Sequence, residues 1–110
     1  MQSHFRLEVH DDRGTSVIAL RGELDLASSG ALEEELTRVL ASGSGEIVID
    51  LRELEFMDSM GLGALIGAHR RAQEANRPFS LVRGCGQVQR LLELTSVAEQ
   101  MTFVQAPDAV

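Results

Sequence analysis

The chain has a single cysteine, Cys85, so no intramolecular disulfide can form and there is no CxxC pair for a redox or metal site. A lone thiol of this kind is expected to fill the core as a small apolar residue. Cations are scarce: ten Lys and Arg stand against 17 Asp and Glu, for a net charge of −7. Nucleic acid and anionic membrane surfaces are both gripped by clustered cations, so neither is expected as a direct partner. The one basic cluster, "HRRAQEANR" at 69–77, reads as the solvated back of a helix. No stretch approaches the ~18 consecutive apolar residues of a membrane span. "MQSHFRLEVHDDRG" has neither the basic start nor the apolar run of a leader, which points to the cytoplasm.

What is present is ordinary globular composition. The 110 residues are 44% hydrophobic and 25% charged, enough for one domain over 1–110 with its own core. "FRLEV" (5–9) alternates, "TSVIAL" (15–20) is rich in β-branched residues, and "HDDRG" between them holds turn formers, which predicts a hairpin. Leu32, Leu36, Val39 and Leu40 then recur at helical spacing, predicting a helix over 26–42 with Glu33, Glu34 and Glu35 near its positive end. "SGSG" closes it, and "EIVID" (46–50) reads as a strand covered on both faces. A second helix follows over about 59–75, with Leu62, Leu65, Ile66 and His69 on one face, and "NRP" stops it. "FSLVR" (79–83), the helical "QVQRLLELT" and the alternating "MTFVQ" (101–105) complete the order β-β-α-β-α-β-α-β. That order predicts an α/β fold, a mixed sheet of about four to five strands packed with helices through right-handed crossovers.

Helices that follow strands start along one edge of the sheet, where open α/β folds bind their ligands. "GELD" (22–25) and "FMDS" (56–59) both end there, so Asp25 and Asp58 are expected close together. An N-cap role for Asp58 or Ser59 accounts for one polar residue of "FMDSMGLG" but leaves Gly61, Gly63 and Gly67 unexplained. Glycine costs ~1 kcal/mol relative to alanine within a helix, so close approach of another backbone is the more economical reading, with Gly67 packing on the sheet. Met60 and Leu62 among those glycines form a candidate contact surface, rimmed by Asp25 and Asp58.

The glycines lack the lysine and the spacing of a P-loop. "MDSMG" is not the G-x-S-x-G of a nucleophile elbow. His4 and His10 lie in or beside the hairpin, and His69 falls on an apolar helix face, so no complete catalytic set, metal site or cofactor site is assembled. A serine that receives a phosphate suits the stretch better. Ser59 stands where a helix dipole and free amides tolerate an added anion.

The segments "ALRGELDLASSGALEEEL", "IVIDLRELEFMDSMGLGALIGAHRRA" and "SLVRGCGQVQRLLELTSVAEQMTFV" resemble the STAS domain family, and within it the bacterial anti-sigma factor antagonists. G-E-L-D together with F-M-D-S-x-G-L-G at this separation is far more specific than either motif alone. The resemblance implies that Ser59 is phosphorylated by a partner GHKL-type serine kinase that is itself the anti-sigma factor, beside Asp25 and Asp58. Unphosphorylated protein would capture that kinase and free a sigma factor. Phosphorylated protein would release it until a PP2C-type phosphatase resets the serine.

Two features depart from the family pattern. Met60 replaces a second small hydroxyl residue carried by many relatives. "APDAV" stops at about the first turn of the further helix that usually follows; either that helix is naturally shortened, or the edge it would cover stays open and invites pairing such as a weak homodimer. A stressosome-type scaffold and an accessory subunit of a lipid-transport ATPase are the alternative settings of such a domain. An enzyme is the third.

Overall fold

A computed structural model describes residues 4–106. Residues 1–3 and 107–110, where the expectation of a shortened final helix falls, lie outside the described residues. Strands β1 (Phe5–Asp12) and β2 (Thr15–Leu24) form the hairpin, followed by α1 (Ser29–Ala41) and β3 (Ile47–Met57). Helix α2 (Ser59–Glu74), β4 (Phe79–Val82), α3 (Gly86–Leu94), a 3-10 turn (Val97–Gln100) and β5 (Phe103–Val104) complete the chain. The five strands lie side by side in sequence order, β1 antiparallel to β2 and the rest parallel. The expected element order and mixed sheet are therefore as observed.

Buried residues of all three helices join Ile18, Ile49 and Leu81 of the strands in one apolar cluster, so the helix layer lies on one sheet face. Val17, Val48 and Val82 form a smaller cluster on the other face, joined by Val104 and Ala106. Strand 47–51 is thus buried on both sides, as its apolar run predicts.

Five local readings need correction. The hairpin strands run through Asp12 and Leu24, past the expected residues 9 and 20, and only Arg13 and Gly14 form the turn. Strand β3 runs on to Met57, well past the expected residue 50. Opposite Ala19–Arg21 and Gly22–Glu23 it carries extra residues, and these bulges replace the period-2 alternation with burial at Leu51, Leu54 and Met57. Helix α1 begins at Ser29, three residues later than expected, so the Glu33–Glu35 run lies beyond its first turn. The Asp25 carboxylate accepts the Ala27 and Ser28 N–H groups (3.0 and 3.2 Å), and this turn holds 25–28 out of the helix.

The basic cluster is split. Arg70 is exposed, but Arg77 is buried and donates to the carbonyls of Val39 (2.6 Å) and Gly45 (2.8 Å), closing the end of α1. Cys85 is exposed rather than buried, because it precedes α3 in an extended loop outside the apolar cluster.

Candidate functional site

Leu24 of β2 and Met57 of β3 are register partners, so Asp25 and Asp58 are the next residues beyond two paired strand ends. The Asp58 N–H donates to the Leu24 carbonyl (3.3 Å), tying the start of α2 to the end of β2. The β3 end is pinned from the other side as well. Met57 donates its N–H to Gln87 Oε1 (3.0 Å), and its carbonyl accepts from Gln87 Nε2 (2.7 Å). The chain around residue 58 is therefore clamped between β2 and α3.

Each motif acid has a structural task. Asp58 is the N-cap of α2, its Oδ1 accepting the Gly61 N–H at 2.9 Å. Asp25 closes its own turn, and its Oδ1 also accepts from Ser28 Oγ (3.1 Å), whose hydroxyl is buried beneath the loop. Both carboxylates are oriented by the backbone they cap.

Ser59, the first residue of α2, is exposed, and its hydroxyl makes no hydrogen bond among the described residues. Since the Gly61 N–H is taken by Asp58, the amides of Ser59 and Met60 are the free donors at this positive helix end.

The surface around Ser59 differs from the expected one. Met60 is 51% exposed, but Leu62 is only 8% exposed and belongs to the core. One helical step of two residues turns a side chain through about 200°, so the two cannot share a face. Gly61 is also internal: a Cβ there would run into the Leu24 carbonyl. The close approach inferred for it is to the chain's own sheet. Gly63 is exposed with open space around it. Gly67 does not pack on the sheet as expected; a Cβ there would meet nothing, and it lines a groove of about 140 Å³ between α1 and α2 with Leu32, Leu36 and Arg71.

Two apolar residues escaped the sequence reading. Leu26, 68% exposed, sits in the turn closed by Asp25, and Phe56, 40% exposed, sits near the end of β3. The Asp-Leu-Ala-Ser spacing was the available signal for Leu26, because a side chain inside an Asx turn has no helix face to bury. His69 packs half-buried on Phe79, ring centroids 5.3 Å apart, which agrees with a structural role. Among the described residues no three His, Cys, Asp or Glu converge as metal ligands, and no helix is long and apolar enough to cross a membrane.

The sequence matches the STAS domain family over residues 6–109. It is 34% identical over 76 residues to the anti-sigma-F factor antagonist RsfB of Mycobacterium tuberculosis, covering 69% of this chain. This chain spans 62% of the length of that relative. It is 29% identical over 84 residues to the anti-sigma-B factor antagonist of Staphylococcus aureus, covering 76% of this chain and 78% of that one. Among solved structures, an anti-sigma factor antagonist from Mycobacterium paratuberculosis has a TM-score of 0.81 at 30% identity, covering 96% of this chain and 89% of that one.

Proposed function

The chain belongs to the STAS domain family, and from that membership we propose that it is an anti-sigma factor antagonist working by partner switching. In this reading the unphosphorylated protein binds a GHKL-type anti-sigma factor kinase, and the sigma factor is released. The kinase then transfers the γ-phosphoryl group of ATP to Ser59. The Oγ–P bond forms, the phosphoanhydride bond breaks, ADP leaves, and the hydroxyl proton passes to a base of the kinase. A PP2C-type phosphatase hydrolyses the ester and resets the cycle. The protein is the substrate in both steps and has no catalytic role of its own. An antagonist of an anti-sigma factor works where transcription occurs, so the cytoplasm is its compartment in this reading.

The observation that carries this reading is the exposed Ser59, whose hydroxyl makes no hydrogen bond among the described residues, at a capped helix start next to the exposed side chain of Met60. Methionine is enriched at protein interfaces, so the exposed Met60 side chain suits burial by a partner. Ser28 is buried and hydrogen-bonded, which makes it a poor competitor for the phosphate.

Two measurements test the proposal. Affinity capture with mass spectrometry should bring down a small GHKL-type kinase. Recovery of a membrane ATPase, or a large assembly of the chain alone, would replace this reading with a transport or scaffold role. Incubation with the kinase and ATP, followed by phosphopeptide mapping, should place the phosphate on Ser59. Phosphate mainly on Ser28, Ser29 or Thr95 would overturn the assignment.

A further inference from the structure

Strand β1 is an outer strand of the sheet, eight residues long and mostly exposed, and its far edge is unpaired among the described residues. The His4 carbonyl accepts from the Glu23 N–H (2.8 Å). Antiparallel alternation therefore turns the even-numbered backbone groups toward β2 and leaves the N–H and C=O of Phe5, Leu7 and Val9 facing outward. Phe5 and Leu7 are half-buried and Val9 is 39% exposed, so the edge is apolar on its helix-layer side.

The opposite side carries an uncompensated charge. Arg6 is the register partner of Arg21, a like-charge pair, and Arg6 forms no ion pair among the described residues. Arg21 already has Glu8 (3.8 Å) and Glu53 (3.3 Å), and Glu8 also meets His10 (3.5 Å). The counter-charge for Arg6 is missing from its own sheet.

We propose that this edge is a self-association surface on which two copies of the chain pair β1 against β1 about a two-fold axis at Leu7, joining their sheets. In that register Arg6 of each copy stands opposite Glu8 of the other, twice, on the open face. Phe5 meets Val9, and Leu7 meets Leu7, on the helix side. Competing registers are worse. An axis at Glu8 sets Glu8 against Glu8 and Arg6 against His10. An axis at Val9 matches Arg6 with Asp12 and Glu8 with His10, but it sets Leu7 against Asp11 and so gives up the Leu7–Leu7 and Phe5–Val9 apolar contacts. The net charge of −7 on each copy opposes association, and so short a seam is small by the standard of stable interfaces, so the dimer is weak. This surface does not depend on the Ser59 reading, and its test needs no kinase.

Sedimentation equilibrium of the intact chain tests it, from about 10 µM to about 1 mM, bracketing a dissociation constant on the order of 100 µM. Arg6→Glu and Glu8→Arg should each weaken the dimer by at least about tenfold, since each sets like charges across the seam. Mixing the two variants should restore association, because one copy then carries acids at both positions and faces arginines at both positions of the other. Circular dichroism checks that each remains folded. Should either reversal unfold the hairpin, Val9→Lys carries the same test from an exposed position. A chain monomeric throughout the range, single variants that associate normally, or a mixture that stays monomeric would overturn the proposal.

Discussion

Gly61 in the first turn of α2 lies so close to the Leu24 carbonyl of β2 that no side chain fits between them. The same carbonyl accepts the Asp58 N–H, so the serine-bearing corner is built on one backbone contact between β2 and α2. Gly61→Ala is expected to lose about 1–3 kcal/mol by overpacking, despite alanine's better helix propensity. Gly63→Ala, in open space, should gain up to ~1 kcal/mol. Urea unfolding of the two variants should show midpoints moving in opposite directions. Parallel shifts would contradict the packing described.

Leu62 and Met60 should separate stability from binding. Leu62→Ala opens a core cavity and should cost about 2–4 kcal/mol in thermal or chemical unfolding. Met60→Ala and Leu26→Ala should change stability by less than ~0.5 kcal/mol. Each should nevertheless weaken anti-sigma factor capture by about 1 kcal/mol or more, as loss of an apolar anchor does. Gly63→Arg should abolish capture with an unchanged circular dichroism spectrum. Calorimetric titration gives the affinities, and normal binding by all three surface variants would move the interface elsewhere.

Phosphorylation at Ser59 should act by local charge and bulk, with the fold intact. Two unit charges ~5 Å apart at an effective dielectric of about 20 interact by roughly 3 kcal/mol before salt screening. An added anion facing acidic partner groups should then weaken binding by about one to two powers of ten. The free amides of Ser59 and Met60 favour that anion, so the melting temperature should hardly move. Ser59→Asp should give a smaller loss of affinity, and Ser59→Ala should bind but never be released by the kinase. A large fall in melting temperature on phosphorylation would point to a conformational mechanism.

Asp50 makes acid stability measurable at one pair. Its carboxylate is buried and receives Arg52 Nη2 (2.8 Å), Nε (3.0 Å) and backbone N–H (3.0 Å). Burial by itself pushes the carboxyl up. The hydrogen bonds from Arg52, together with the charges of Arg52 and Arg21, outweigh that and hold it below the usual carboxylate value. A depressed folded pKa means the pair's contribution is complete above the unfolded value of ~3.9 and is lost as pH falls through the lowered one. Asp50→Asn should therefore be less stable than the parent at pH 7, with the gap narrowing on acidification below about pH 4. A gap that is constant with pH would show that the ionised pair is not its source.

Much of this architecture is legible in the chain itself. The hairpin is announced by turn formers between an alternating run and a β-branched one, the helices by their spacing and by the stops at 42–45 and 76–78, and the order of elements by their succession along the chain. The cap at Asp58 and the exposed helix start at Ser59 are local too, because side chain and backbone three residues apart settle them without help from the rest of the molecule. What lies beyond local reach is the phase of each element against its neighbours. Whether Met60 or Leu62 faces out depends on how α2 sits on the sheet, and that is decided by Leu24, distant in sequence but touching Gly61. Arg77 looks solvated in sequence because its acceptors, Val39 and Gly45, belong to other elements, and Cys85 looks apolar because nothing near it shows that its loop stays outside the core. The bulges that carry β3 to Met57 exist only in its pairing with β2. Local turn and capping chemistry is written between near neighbours, whereas burial is a property of contacts that form only when the elements meet.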